Sequence, residues 1–111
     1  MNTKILELEN MIESDFNPEL FEKKVYEICW QLDDVDDCIL LANLARWAEF
    51  DDEDKGAEMA GNIMDRGIEL AVKEKDKAKL ENIVFELEAG MELDELANEV
   101  KDILTSNVLL K

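Results

Sequence analysis

Residues 33–54 read DDVDDCILLANLARWAEFDDED, an apolar run between the acidic clusters Asp33–Asp37 and Glu49–Asp54. At 3.6 residues per turn, two adjacent stripes of the run are apolar and are expected to be buried: Leu40, Leu44 and Trp47, and Leu41, Ala45 and Ala48. The polar stripe passes through Asn43 and Arg46. A helix that is apolar on most sides has to be covered by neighbours. The rest of the chain is therefore expected to supply helices that wrap it.

The chain on either side of this stretch predicts five further helices, from apolar residues at helical spacing and from capping residues. Asn17 and Asp76 are expected N-caps, and the two acidic clusters are expected to cap the central helix and the helix after it. The predicted helices cover residues 3–14, 18–32, from between 52 and 54 to about 74, 77–90, and 93 to between 104 and 110. No strand or hairpin signal is present. The sequence thus predicts one all-α domain of six helices over residues 1–111.

Two of these helices carry specific packing expectations. The second helix is expected to bury an apolar face made of Leu20 or Phe21, Val25, Ile28, Cys29 and Leu32. The fourth has small inward residues, including Gly56, Gly61 and Gly67. Each glycine inside a helix costs about 1 kcal/mol relative to alanine. Close approach of a neighbouring helix is the expected reason for all three.

Charge dominates the composition. The 111 residues include 29 acids and 12 bases, a net charge of −17, yet 47% of residues are hydrophobic. The acids are therefore expected on a folded surface and not in a disordered tail. Such a surface repels nucleic acid and anionic membranes and attracts basic patches, so the expected partner is a protein with a basic surface. Low salt is expected to destabilise the fold, because like charges repel within a Debye length.

Two cysteines, Cys29 and Cys38, lack the spacing of a metal site or a disulfide framework, and Cys29 is expected in the core. The start of the chain has no signal-peptide pattern, and no window is long and apolar enough to span a membrane. The expected compartment is the reducing cytoplasm.

A motif of Leu-x-Asn followed by two apolar residues occurs three times, beginning at Leu8, Leu41 and Leu80. The spacings suit repeated helix pairs, so three stacked αα-hairpins are expected, as a short solenoid or a compact bundle. Leu41–Asn43 and Asp54–Ala57 resemble the helix-opening motifs of tetratricopeptide-like repeats. The resemblance extends over two repeats, with a longer loop and without the repeat-ending proline. It implies a module that binds a peptide or protein segment on a concave face.

The acidic clusters have two interpretations. Aspartates at helix starts commonly act as caps, and this accounts for part of both clusters. Nine acids within residues 33–54 exceed what two caps require. They suit an anionic face that docks on a basic protein, with these partner-binding residues: Asp33, Asp34, Asp36, Asp37, Glu49, Phe50, Asp51, Asp52, Glu53 and Asp54. A calcium loop starting at Asp51 fails, because Lys55 and Asn62 occupy ligand positions.

Other polar and aromatic residues have structural and functional interpretations. Asn10, Asn43 and Asn82 are expected to tie neighbouring helices together, or else to line a peptide groove with Arg46. Arg46 is expected to pair with an acid of the adjoining helix. Core positions are expected for the aromatic residues Trp30, Trp47 and Phe50, with Phe50 alternatively an exposed binding anchor.

Enzyme chemistry has little support. The chain contains no histidine, which excludes Ser-His and Cys-His nucleophile pairs, and it has no glycine-rich phosphate loop. No catalytic residue, cofactor or metal site is predicted. The leading hypothesis is a non-enzymatic acidic inhibitor of the immunity or phage anti-defence (anti-CRISPR) type, a nucleic-acid mimic that docks on a basic nuclease or nucleic-acid-binding protein. The alternative is a tetratricopeptide-like adaptor. Self-association through the C-terminal helix, with Val108–Leu110 exposed, also remains open.

Overall fold

The computed structural model describes residues 3–14, 16–48, 50 and 52–105. Over these ranges the chain forms six α-helices and no strand, which confirms the all-α prediction. The helices are Thr3–Ser14 (α1), Pro18–Cys29 (α2), Val35–Arg46 (α3), Glu53–Glu74 (α4), Lys77–Phe85 (α5) and Asp94–Thr105 (α6). A π-helical turn, Glu86–Gly90, continues α5 and is called the π-turn below. The predicted C-terminal extension over residues 106–110 lies outside the described residues.

Side-chain caps explain where four helices begin. The residues Asn17, Asp34, Asp52 and Asp76 precede α2 to α5 and accept hydrogen bonds from backbone N–H groups two or three residues later, at 2.8–3.2 Å. Each bond satisfies a backbone donor that has no partner within its own helix. The predicted caps are thereby confirmed. The end of α2 was predicted less well, because the helix stops at Cys29 and the chain reaches Leu32 through a turn.

The helices pair along the chain as three hairpins, α1–α2, α3–α4 and α5–α6, and the α3–α4 contact is the most extensive. The middle hairpin packs on both others, since α3 contacts α1 and α2 while α4 contacts α2 and α5. The stack measures 47 × 25 × 18 Å. Three stacked αα-hairpins were predicted, and the arrangement is confirmed. The antiparallel pairing also places the start of α4 beside the end of α3.

The core confirms the buried face of α2 and corrects that of α3. Phe21, Val25, Ile28, Cys29 and Leu32 are all buried. The buried face of α3 consists of Val35, Cys38, Ile39, Leu41, Ala42 and Ala45. Of the two predicted stripes, the one through Leu41 and Ala45 is therefore largely right. The stripe of Leu40, Leu44 and Trp47 is wrong for Leu40 and Trp47, whose exposed fractions are 37% and 55%, whereas Leu44 is half-buried and packs against the core.

The exposure of Trp47 has a specific cause. Its indole Nε1–H donates to the Gly90 carbonyl at 2.9 Å, and the Arg46 guanidinium lies 4.5 Å from its ring centroid. These contacts hold the ring on the surface, across the junction between α3 and the π-turn. Trp30, at the C-terminal end of α2, is 73% exposed. The core prediction is wrong for both tryptophans. It is confirmed for Phe50, which packs against Phe16 and Phe21 with ring centroids 5.5 and 5.8 Å away.

The glycines of α4 confirm close helix approach at two of three positions. A Cβ on Gly56 would lie 2.8 Å from the Arg46 carbonyl oxygen, and one on Gly67 would lie 3.1 Å from Cys38 Cβ. Helix α3 therefore approaches the backbone of α4 at both sites. A Cβ on Gly61 would meet nothing within 4 Å, so the expectation for Gly61 is wrong. Gly61 borders open space, which is described below.

Both cysteines are buried and neither forms a disulfide. Burial is the main cause that raises the pKa of each thiol, to about 12 for Cys38. Neither side chain therefore has the thiolate character that cysteine chemistry requires. The expectation that Cys29 is a core residue is confirmed.

Candidate protein-binding surface

The first acidic cluster surrounds the start of α3. Asp34 is the N-cap, with its carboxylate 2.8 Å from the Asp36 backbone nitrogen. Asp33 and Asp36 are exposed, and Asp37 is half-buried. Burial and the neighbouring charge of Asp34 raise the pKa of Asp37. One aspartate thus stabilises the helix start, while the others concentrate negative charge at the surface.

The second acidic cluster is described in part. Glu49, Asp51 and the side chain of Glu53 lie outside the described residues. Asp52 is the N-cap of α4, 2.9 Å from the Asp54 backbone nitrogen, and Asp54 is exposed. Phe50 was included in the predicted partner-binding set. Its ring instead packs against Phe16 and Phe21 and belongs to the edge of the core.

The two clusters lie at opposite ends of α3. Because α3 has 12 residues and a helix rises 1.5 Å per residue, the ends are about 18 Å apart. Among the described residues, all four acids of the first cluster lie around the start of α3, and Asp52 and Asp54 of the second lie at the start of α4. Asp33, Asp36 and Asp54 are the described acids of the clusters that are exposed and whose side chains do not act as caps.

The alternative groove residues make internal contacts. The Asn43 side-chain amide donates to the Ile39 carbonyl at 3.2 Å and to the Glu86 carboxylate at 3.4 Å. Arg46 Nε donates to the Met91 carbonyl at 2.8 Å, so its partner is a main-chain oxygen and not the acid that was expected. These bonds favour the structural interpretation, in which polar side chains tie α3 to the π-turn.

The other two groove candidates are Asn10 and Asn82, and both are exposed. Asn43 lies at a shallow cleft together with Ile5, Glu9, Leu40 and Leu44, and neither Asn10 nor Asn82 lines it. The three asparagines therefore do not share a groove.

A groove that the sequence analysis missed lies between α4 and the start of α6, with a volume of about 520 Å³. It is called the α4/α6 groove. Its half-buried apolar surface is formed by Ala57 and Gly61 on one side and Leu93 and Leu96 on the other. Carboxylates surround this apolar surface on both walls, namely Glu58, Asp65, Glu92, Asp94, Glu95 and Glu99. Among the described lining residues there is no lysine or arginine.

The carboxylates of this groove repel one another. The pKa of Asp65 is raised, first by burial and second by the charge of Glu99. In the described part of the chain, no group of three or more potential ligands is arranged to hold a metal ion. The acids are thus spread along the walls and do not converge on one point. Such a distribution suits an extended cationic partner better than a single ion.

One signal in the sequence could have revealed the groove. Asp54, Glu58, Gly61 and Asp65 are spaced by four, three and four residues, so they form one stripe on α4. A small residue between acids along an exposed stripe indicates a surface hollow with charged edges. The same stripe connects the second acidic cluster to the groove through Asp54. What the sequence did not show is that α6 lies opposite.

No described helix is long and apolar enough to cross a membrane. Comparisons with protein-family models, with curated proteins and with solved structures find no match to this chain. The likeness to tetratricopeptide-like repeats is accordingly limited to the motifs at Leu41–Asn43 and Asp54–Ala57.

Proposed function

We propose that this protein is a non-enzymatic binding domain whose acidic surface docks on a basic protein. One observation carries the proposal: exposed carboxylates that take part in none of the ion pairs of the described residues extend from the second acidic cluster along α4 into a groove. The recorded ion pairs use Glu22, Glu69, Glu74 and Glu88, none of which belongs to the clusters or to the groove. Two lysines of these pairs also lie near acids of the proposed surface, Lys55 near Glu58 and Lys79 near Asp34, but their ion-pair contacts are with Glu22 and Glu74.

The charge density supports the proposal that this binding domain mimics nucleic acid. A net charge of −17 along a 47 Å axis is about one negative charge per 3 Å, whereas duplex DNA carries about one per 1.7 Å. The protein thus offers roughly half the linear charge density of DNA on a rigid helical stack. We propose that it inhibits a nuclease or another nucleic-acid-binding protein of the immunity or anti-defence type by occupying the basic surface that binds phosphates.

Affinity capture from a lysate of the native host tests this function. The captured proteins are eluted along a salt gradient, with and without competing DNA, and identified by mass spectrometry. We expect a basic nucleic-acid-handling protein that moderate salt releases and DNA displaces, since charge-driven association is screened by salt. A neutral partner that remains bound at high salt and ignores DNA would contradict the proposal.

A triple variant tests whether the exposed acids of the two clusters bind the partner. Asp33→Asn, Asp36→Asn and Asp54→Asn together remove exposed charges and leave the Asp34 and Asp52 caps in place. We expect this triple variant to capture less of the partner and to release it at lower salt. Equal capture at equal salt would show that these acids do not bind it.

A further inference from the structure

The α4/α6 groove is an open face between two helices that pack mainly on other elements. Helix α6 packs chiefly on α5 and on the π-turn, while α4 packs chiefly on α3. Both helices contribute half-buried apolar residues to the groove, so each leaves part of its apolar surface without a helical neighbour. Small residues at Ala57 and Gly61, four positions apart, leave room for another element to come near the α4 backbone.

The dimensions fit a short helix. The lining residues of α4 extend from Ala57 to Asp65, about 12 Å or two helical turns. Glu58 and Asp65, seven residues apart, lie two turns apart on one wall. Glu95 and Glu99, four residues apart, lie one turn apart on the other. Basic residues at similar spacings on a bound helix would therefore meet a carboxylate on each side.

The chemistry of the lining also favours a helix over an extended peptide. An extended segment needs hydrogen-bond donors for its carbonyl groups. Ionised carboxylates only accept, and one N–H of the Asn62 side-chain amide already donates to the Tyr26 hydroxyl at 3.0 Å, which leaves a single side-chain amide N–H among the lining residues. A helix satisfies its backbone internally and asks of the groove only apolar contact and charge pairing.

We infer that the α4/α6 groove binds an amphipathic helix of the partner protein, with an apolar stripe on Gly61 and Leu96 and lysines or arginines against the acidic walls. This inference rests on the proposed binding of a basic protein and names the element that is recognised. Charge complementarity favours a basic helix over two other occupants, a second copy of the chain and the chain's own residues 106–111. A second copy of the chain would bring a further net charge of −17, and residues 106–111 contain a single lysine.

A direct test uses a defined probe, a fluorescent peptide of about 18 leucines and lysines in which the leucines occupy one helical face. A scrambled peptide of the same composition is the probe control. We expect the patterned peptide to bind at least about tenfold more tightly than the scrambled one at physiological salt, as measured by anisotropy. Equal affinities would overturn the inference, since charge alone would then account for binding.

Gly61→Leu is the informative variant, because its side chain enters the groove while a Cβ at this position would meet no other atom within 4 Å. The fold should be retained, since leucine is a better helix former than glycine, and circular dichroism checks this. We expect at least about tenfold weaker peptide binding. Ala78→Leu, which adds a leucine at an exposed site on α5, should change affinity by less than about twofold.

A charge-matched pair of double variants tests the walls. Glu58→Gln with Glu99→Gln should weaken binding at least about threefold, whereas Glu13→Gln with Glu81→Gln, which removes the same charge from exposed sites on α1 and α5, should weaken it less than about twofold. Equal effects of the two doubles would overturn the groove as the binding site.

The remaining outcomes separate the inference from the proposed function. If Gly61→Leu still captures the basic partner from lysate at unchanged salt, the groove inference fails and the proposed function stands. If no salt-sensitive basic partner is captured by the unchanged protein, the proposed function fails. Tighter peptide binding on deletion of residues 106–111, or a dimer that Gly61→Leu dissociates, would identify a different occupant and overturn the inference.

Discussion

Glycine has two roles along α4, and the neighbouring atoms decide which applies. At Gly56 and Gly67 the α3 hairpin partner comes so near that a methyl group would push against the Arg46 carbonyl or against Cys38. At Gly61 the same residue type borders the groove. The helix bears the same propensity penalty at each site, so the effect of substitution depends on the space available.

Alanine substitution should therefore change stability in opposite directions. We expect Gly61→Ala to raise the free energy of unfolding by up to about 1 kcal/mol, through helix propensity alone. Gly56→Ala and Gly67→Ala should lower it by about 1–3 kcal/mol, because overpacking outweighs that gain. Urea unfolding followed by circular dichroism measures all three. A stabilised Gly56→Ala variant would mean that α3 and α4 are farther apart than described.

Asp65 lies where the groove concentrates like charge. Burial, and after it Glu99, raise the pKa of this carboxyl in the folded protein above its unfolded value. The folded state therefore binds the proton more tightly, and its stability relative to the unfolded state falls as pH rises through this range. At neutral pH the ionised Asp65 opposes folding.

The variant Asp65→Asn should be more stable than the unchanged protein at pH 7. The gain should not exceed about 0.5 kcal/mol, since the burial of this carboxyl is only partial and solvent screens its charge. The difference should shrink as the pH is lowered towards 4, where Asp65 becomes protonated. Thermal unfolding of both proteins between these pH values measures it, and a difference that grows on acidification would contradict the assignment.

At the starts of α3 and α4, the acids of each cluster have two different roles. At the start of each helix, one aspartate caps the backbone and its neighbours remain exposed. Deleting a whole cluster would therefore destabilise a helix and remove surface charge at once. A loss of binding in such a variant would have two explanations, which is why the binding tests leave both caps intact.

The caps can be tested separately from the surface acids. Asp52→Ala should lower the free energy of unfolding by about 0.5–2 kcal/mol, because the Asp54 N–H loses its acceptor. Asp33→Ala, which precedes a capped helix without capping it, should have an effect within about 0.5 kcal/mol. Chemical denaturation compares the two, and equal effects would show that Asp52 does not act as a cap.

The π-turn is the element with the least support in local sequence. Its carbonyl at Gly90 and the following one at Met91 accept hydrogen bonds from Trp47 and Arg46 of α3. These carbonyls lie at the C-terminal end of the helical segment, where backbone C=O groups have no partner within the helix. Docking to α3 stabilises it, so its position follows from a contact between hairpins.

In the whole molecule, repulsion between the many carboxylates opposes the compact packing of the helices. A net charge of −17 is held on a stack only 18 Å across its thinnest dimension, so many carboxylates lie within a few Debye lengths of each other. The four recorded ion pairs join partly exposed side chains, and such pairs contribute little to stability. The apolar core between the hairpins has to offset this repulsion.

Added salt should therefore stabilise the protein. Between about 0.01 M and 0.15 M sodium chloride the Debye length falls from about 30 to 8 Å, and we expect the unfolding midpoint to rise by several degrees. A gain of 1 kcal/mol would correspond to about 4–8 °C for a domain of this size class. Differential scanning calorimetry along a salt series measures the shift. A midpoint that falls with salt would mean that attractive pairs outweigh the net repulsion.

The local sequence pattern was sufficient to predict much of this architecture. The caps at Asn17, Asp52 and Asp76 and the buried face of α2 were predicted because each depends on residues within one helix and its first turn. The predicted stripe through Leu40 and Trp47 was wrong because burial of an apolar residue also requires a neighbouring element to cover it. On that side of α3, Trp47 instead donates to the π-turn at the surface.

Helix number, hairpin order and the acidic surface thus follow from the chain's own periodicity, capping residues and composition. The position of α6 opposite α4, the open space at Gly61 and the proximity of Asp65 to Glu99 arise only in the packed molecule. Periodicity reports which face of a helix is apolar, but the angle and distance between helices that are not adjacent in the chain depend on side chains from several elements at once. The groove lies between α4, which packs chiefly on α3, and α6, which packs chiefly on α5, so it is a property of the assembled core.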